Sequence, residues 1–363
     1  MPRAPAGTMG AAVRSQPALE PMVAHALERV RARRLTTADD PWVIMHGILA
    51  FGADLRILER GSGEMTSALE FIAQRATIRR EGREVALLTE TSGYPHFLFD
   101  RAAQGHENQF LMIFAEAGVP ASFPLRTGAG RQVRLTDLLG QATAVFHRRQ
   151  HPAWTSVAFL HYLGPFATWR NALGERYSTA DLLDILLSYE DDIEGGTHRL
   201  YGLAYALCRL REAEAKEPGG LPAEEQARRS VLERQPALRA VLRQRIRAAE
   251  AWRRADGLYA GAWWAAEARQ GEGPDGDDDV LLKTGHMLEW LTLACGSPPC
   301  REDWLGETAG GLARRILRSV VEHAAPGPLY HAAHGLRLWR RTRLHATGGV
   351  TQCGLGEAER RPR

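Results

Sequence analysis

No stretch of this chain approaches the roughly 20 consecutive apolar residues that cross a bilayer, which excludes a membrane-spanning helix as its organising element. No excess of one charge is present either: 46 lysines and arginines stand against 43 acids, a formal net charge of +3. That balance excludes the strong positive field of a nucleic-acid or anionic-membrane binder. Cysteine is scarce. Cys208, Cys295, Cys300 and Cys353 form no CxxC pair and no even framework in a short chain, so a reducing compartment, the cytoplasm, is expected. The first residues carry arginine but no apolar run of the kind that makes a signal peptide. Strand signals are nearly absent, with one weak case at 84–88.

What is present is helix-forming sequence punctuated by caps. Residues 1–16, rich in Pro, Gly and Ala, read as a disordered lead-in, and 346–363 read as a flexible tail. Between them 17–345 reads as one domain, because 44% hydrophobic residues suffice for a sizeable core. Asp40 before Pro41 marks a helix start, and Ser178 with Asp181 forms a capping box. Thr197 and Thr284 stand as caps of two further helices, and Gly327-Pro328 opens the last. Gly118, with Pro120 just beyond, closes HENQFLMIFAEAG.

These helices pair. A first, more polar member precedes a second that is apolar nearly all round: 17–34 with 41–58, 64–80 with 106–117, and 134–147 with 152–163. The series continues with 178–189 and 197–214, 223–254 and 280–295, and 301–323 and 328–342. Charged faces such as GLARRILRSVVEH suit an outer layer, and the Gly-, Ala- and Leu-rich members suit an inner one. Six outer–inner pairs predict an all-α fold, an (α/α)6 barrel or toroid of six helical hairpins. A two-layer bundle of hairpins shares that periodicity. Residues 82–105 are left open as a lid, a hairpin or a loop, with Tyr94-Pro95-His96 read as surface packing.

Each proposed inner helix carries histidine: His46, His106, His161, His198, His286, and the pair His331 and His334. Taken singly, such a residue is usually a satisfied core group. His198, His286 and His331 follow glycine-containing loops, where the mouth of a central cavity is expected, and histidine is the natural acid–base group there. In TGHMLEWL, His286 and Glu289 are three apart and project from one face, so the carboxylate can orient the imidazole or both can ligate a metal. A buried hydrogen bond fixing two helices is the equal alternative. His331 and His334 repeat the spacing, but no HExxH and no third ligand is visible, so no metal is assigned and the cofactor stays unknown. In GGTHRLYGL, Arg199 and Tyr201 join His198 as binding candidates, Arg199 to hold an anion or merely to pair with an outer acid. Trp154, Trp169, Trp263, Trp264 and Trp290 offer ring planes. The D-x-D-D spacing of Asp275, Asp277 and Asp278 reads as a solvated acidic loop rather than as a proton donor.

The inner-helix pattern resembles the α/α toroid of terpenoid cyclases and protein prenyltransferase β subunits. RRADGLYAGAWW (Asp256, Gly257, Trp263) is similar to the D-G-x-aromatic…Trp repeats of those cyclases. LYHAAHGL resembles the helix on which prenyltransferases carry a zinc histidine, which maps to His331, although their paired Asp-x-Cys ligands have no counterpart here. TGHMLEWL also resembles the PGHxxEW helix of acylglucosamine 2-epimerase-type barrels, mapping a catalytic histidine to His286. WVIMHGILAFG, ENQFLMIFAEAGVP and GGTHRLYGLAYAL together resemble a group of uncharacterised bacterial toroid proteins. These resemblances imply a small-molecule enzyme of isoprenoid type, with a carbohydrate-active barrel as the first alternative. A non-catalytic ring that binds peptides is the second. The expected site comprises His286, Glu289 and His198 as catalytic groups, with His46, Arg199, Tyr201, His331, His334 and Trp290 around the ligand.

Overall fold

Short β-hairpins run directly into helices, a unit that occurs three times. Strands β1 (Arg56–Leu58) and β2 (Met65–Ser67) feed α3 (Ala68–Gln74), following α1 (Leu19–Ala32) and α2 (Pro41–Phe51). Ser67 Oγ accepts the Glu70 N–H at 3.2 Å and so caps α3. Two more hairpins follow, β3 (Thr77–Arg80) with β4 (Arg83–Ala86) and β5 (Leu88–Thr91) with β6 (Tyr94–Phe97), and then helix α4 (Gln109–Glu116). β7 (Pro124–Arg126) and β8 (Gln132–Arg134) lead into α5 (Leu135–Ala144), where Asp137 accepts the Arg134 N–H at 2.7 Å. After α6 (Pro152–Tyr162), β9 (Thr168–Arg170) and β10 (Arg176–Ser178) lead into α7 (Thr179–Ser188). There the Ser178–Asp181 capping box forms in full, each side chain accepting the other's backbone N–H. The remainder is helical: α8 (Thr197–Glu214), α9 (Pro222–Leu232), α10 (Gln235–Trp252), α11 (Asp277–Cys295), α12 (Glu302–Arg318) and α13 (Pro326–Ala346). This computed structural model describes residues 19–190, 193–214, 222–261, 276–295, 302–319 and 321–346. The lead-in 1–16, nearly all of the tail 346–363, Trp263, Trp264 and Asp275 lie outside the described residues.

The expected all-α barrel or toroid of six helical hairpins is therefore corrected. The fold is mixed, with five two-stranded antiparallel sheets among the described residues, and three of the supposed outer helices are hairpin–helix units. The physical reason is strand length. Each strand has three or four residues and buries at most two of them, as where Leu125 faces Val133. Alternation of period two has no room to show in so short a run. Turn chemistry carries the signal instead: Asn171 Oδ1 accepts the Leu173 and Glu175 N–H groups at 3.0 Å, and Gly174 sits at φ +81°. Residues 82–105 are the second strand of one hairpin and the whole of the next, so the weak strand signal at 84–88 marked real strands.

The apolar helices form the interior. α2 packs on α4, α4 on α6, α6 on α8, α8 on α11, α11 on α13, and α13 back on α2. Glycine permits the tightest of these contacts. A Cβ on Gly285 of α11 would lie 2.6 Å from the backbone of His331 and Ala332, and one on Gly335 of α13 would lie 2.9 Å from the Gly285 carbonyl. α11 and α13 thus touch backbone to backbone, which sets the spacing of everything their facing side chains carry. The first helix closes the structure over a long sequence separation. Arg29 donates to the carbonyls of Leu317 and Ser319 at 3.1 and 2.9 Å, at the C-terminal end of α12.

One helix boundary moves. α11 starts at Asp277 rather than at Thr284, whose hydroxyl exchanges hydrogen bonds with the backbone of Tyr259. The three acids Asp277, Asp278 and Asp279 occupy its first turn, where the helix dipole favours them. Asp278 accepts the Ala325 N–H and Asp279 the Gly261 N–H, so these carboxylates tie loops together. Cys208 and Cys295 are each held in a disulfide, against the expectation of reduced thiols. No helix among the described residues is long and apolar enough to cross a membrane.

Candidate functional site

Six histidines from six chain segments make one continuous run of rings. His46 of α2 lies 5.0 Å from His331 of α13, centroid to centroid, and His331 lies 3.9 Å from His286 of α11. His286 is 5.0 Å from His198 of α8, and His198 is 5.0 Å from His106, which precedes α4. His151, the residue just before α6, stands 5.7 Å from His106 and ends the run beside Tyr189 at 5.0 Å. Trp42 packs at a tilt against His46 at 3.9 Å, and Trp154 flanks His198 at 4.6 Å. The run is graded in depth. His46, His198, His286 and His331 are buried, whereas His106, His151, Tyr189 and Trp42 are half-buried.

The deep end is organised by a single carboxylate. Glu289 is 3% exposed and accepts three imidazole N–H groups: His286 Nδ1 on Oε2 at 2.9 Å, and His331 Nδ1 and His334 Nδ1 on Oε1 at 3.0 and 2.8 Å. Burial by itself would push this carboxyl up. The imidazoles of His331 and His286 outweigh it and hold Glu289 well below the usual carboxylate range. His46 is fixed separately, its Nδ1–H donating to the Trp42 carbonyl at 2.6 Å, one turn back on α2. Burial, and then the neighbouring His331, push His46 down to about 3, so its ring is neutral. The close approach at Gly285 and Gly335 is what places Glu289 of one helix within reach of two histidines of the next.

Behind His334 lies a second carboxyl. Glu116, the last residue of α4, is 1% exposed, and His334 Nε2 stands 3.9 Å from its Oε2. Burial pushes Glu116 up, with His334 and the Tyr201 hydroxyl opposing the shift without reversing it. The two carboxyls on either side of the His334 ring therefore have opposite tendencies, Glu289 to ionise and Glu116 to hold its proton.

Of the expected site residues, the structure brings together His46, His198, His286, Glu289, His331 and His334, with Tyr201 against Glu116. It does not bring in Arg199, which donates to the Leu186 carbonyl at 2.8 Å and to that of Leu187, closing the end of α7. Trp290 is fully buried with its indole N–H on Met287 Sδ at 3.4 Å, a core position. His161 sits toward the other end of α6 from His151, ten residues on, and meets the Tyr205 hydroxyl at 3.2 Å. Trp169 packs in an aromatic group with Phe146, Phe159 and Tyr177. Asp256 and Gly257 shape a turn, with Gly257 at φ +88°.

Two residues escaped sequence reasoning. His151 lies in the loop before Pro152, outside any helical pattern, and Glu116 is a lone acid in FAEAG at the end of an apolar helix. That lone acid was the available signal, since a carboxyl on a helix buried all round needs a reason to be there. A surface cleft lined by Thr66, Glu70, Gln74, Arg75, Phe123 and Pro124 contains none of the histidines. Within the cluster, His286, Glu289 and His331 present ligand-type atoms within 4.8 Å of one another.

No family model, no curated protein and no solved structure matches this chain.

Proposed function

We propose that the protein is an enzyme acting on a small molecule by proton transfer, with His198 as the acid–base group. One observation carries the reading: a run of imidazoles leads from the half-buried His106 and His151, through His198, to a buried carboxylate that fixes three more. A structural core gains nothing from concentrating titratable rings in this way, because each buried N–H and lone pair must find a partner. Such rings are useful where protons move near neutrality. Glu289 locks the rings behind His198 in one tautomer and one orientation, which gives the reacting face a fixed polar wall. The side with the half-buried His106 and His151, beside the buried Trp154, is where a ligand meets His198.

The substrate classes implied by the resemblances enter as test compounds. Free and N-acetylated sugars and prenyl diphosphates are incubated with the protein in D2O, and deuterium incorporation or product is read by NMR. Turnover by the wild type, lost in His198→Ala with an unchanged Tm, is the expected result. If the histidine variants alter Tm but leave peptide binding intact while no compound exchanges a proton, the non-catalytic scaffold reading takes its place. The disulfide-bonded Cys208 and Cys295 support an oxidising compartment over the cytoplasm as the place where this happens.

A further inference from the structure

We propose that Glu116 is a proton store: with His334 and Glu289 it forms a relay behind the imidazole run, in which one acidic proton is shared between the two carboxyls across the His334 ring. Hydrogen-bond accounting carries the assignment. The His334 Nδ1–H donates to Glu289 Oε1 at 2.8 Å, which leaves a lone pair on Nε2. That Nε2, both Glu116 oxygens and the Tyr201 hydroxyl are buried, and none makes a full hydrogen bond among the described residues. They lie together: Nε2 stands 3.9 Å from Glu116 Oε2, and the Tyr201 hydroxyl lies close to the same carboxyl. With Glu116 ionised, an acceptor would face an acceptor. One proton resolves the set. As a carboxylic acid, Glu116 donates its O–H to His334 Nε2 and accepts the Tyr201 O–H on its other oxygen, after a closure of about 1 Å.

The rival arrangement is a charged His334 donating to two carboxylates. It places three charges in one interior, and its charge-assisted bonds would be about 2.7–2.9 Å long, far shorter than the separation at Glu116. The groups around Glu116 are His334, Arg337 and Arg341 of α13, Tyr201 and Tyr205 of α8, and Glu289 of α11. Burial outweighs those that favour the anion and pushes Glu116 up, toward holding its proton. The relay step balances. The Glu116 O–H bond breaks as His334 Nε2–H forms, the Nδ1–H bond breaks as a Glu289 O–H forms, and His334 changes tautomer. Negative charge thereby passes from Glu289 to Glu116 while no proton leaves the interior. With the proton on Glu116, the Glu289 anion accepts the His286 Nδ1–H at 2.9 Å and strengthens that ring as a base; with the proton on Glu289, the support is withdrawn. His286 lies 5.0 Å, ring to ring, from His198, so Glu116 and His334 are positioning residues that set how readily His198 takes and releases a proton. The place of the proton stands on the geometry, whereas this use of it rests on the proton-transfer reading above.

The test is infrared difference spectroscopy of the full chain at pH 7, wild type against Glu116→Gln. The carbonyl band of a protonated carboxylic acid, shifted in D2O, is expected in the wild type and absent from the variant. Because a neutral amide replaces a neutral acid, the Tm should fall by less than about 3 °C. Nitrogen-15 NMR of the histidines should show His334 as the Nδ1–H tautomer, its signals assigned by their loss in His334→Gln. In the D2O exchange assay Glu116→Gln should be about 10-fold slower with an altered pH profile, a readout that packing alone does not move. A wild type without the band, or a Tm that collapses in Glu116→Gln, makes Glu116 the ionised partner of a charged His334 and overturns the store. Exchange that is unaltered in Glu116→Gln overturns the relay and spares the proton-transfer reading. The band and the tautomer, with no exchange in any compound, keep the store and remove that reading.

Discussion

α6 carries a histidine near each end, and the two ends of that helix differ in what surrounds the ring. At its start, His151 joins His106 and, through it, His198, His286 and the Glu289 network. Toward its finish, His161 meets the Tyr205 hydroxyl and stacks edge-on to Tyr162, and burial followed by Arg209 pushes it down to about 4. The residue type, the helix and the degree of enclosure are similar. Only at the first end do several helices present imidazoles to one another. A buried histidine is therefore informative through its neighbours: one hydrogen bond to a tyrosine satisfies a core ring, whereas three rings on one carboxylate make a device.

The sharpest way to break the comparison is to remove its centre. Glu289→Ala strips the acceptor from three buried imidazole N–H groups at once and leaves them without an equivalent partner. A loss of about 3 to 5 kcal/mol in urea unfolding at pH 7 is expected, the range for breaking a buried polar network. A loss below about 1 kcal/mol would mean that the imidazoles find other partners and that the two ends are alike.

The pH response comes next. His161 has an ordinary value of 6.5 and is pushed down to about 4 in the folded protein, so between those limits the unfolded chain binds the extra proton. Stability from this group is present above pH 6.5 and is lost as pH falls toward 4. Comparing wild type with His161→Leu across that window, the difference in unfolding free energy should change by about 2 to 3 kcal/mol, allowing for partial solvent exposure. A difference that stays flat with pH would show that His161 is charged in the folded state.

Helix spacing is the third lever. Gly285→Ala forces a Cβ to within 2.6 Å of the α13 backbone, which cannot give way as a flexible side chain would. Thermal or chemical unfolding should show a loss of about 1 to 3 kcal/mol, and the displaced helix should weaken every property that depends on Glu289 reaching His331. Gly140→Ala on α5, where the added methyl meets nothing within 4 Å, is the matched control and should be neutral or slightly stabilising.

How far this could be read in advance depends on which physical signal each part carries. α8 begins at Thr197 and ends at Glu214, and the Ser178–Asp181 box forms in full, because caps and apolar periodicity are local properties. The His286–Glu289 pair was legible from its spacing of three. That Glu289 also receives His331 and His334 depends on two glycines meeting across helices 50 residues apart (Gly285 and Gly335), and no local pattern reports it. The hairpins were hidden by strands such as Gln132–Arg134, with one buried residue each. That the sequence marks His161 as an inner-helix histidine and not His151 has a similar origin: periodicity finds residues inside helices, whereas His106 and His151 lie in the loops just before α4 and α6.

The smallest effect tests the quiet end of α6. The Tyr205 hydroxyl is the hydrogen-bond partner of His161 Nδ1 at 3.2 Å, and the Tyr205 ring is fully buried. Tyr205→Phe keeps the ring and removes one oxygen, so its cost is that of a single neutral hydrogen bond, about 1 kcal/mol. Because Tyr205 lies one turn of α8 beyond Tyr201, the substitution also lies near the Glu116 end of the site. If the two ends are independent, proton exchange in Tyr205→Phe matches the wild type, and its unfolding cost adds to that of Glu289→Ala in the double variant within about 0.5 kcal/mol. A larger departure from additivity would mean that α8 couples His161 to the imidazole run, and the quiet end would then belong to the site.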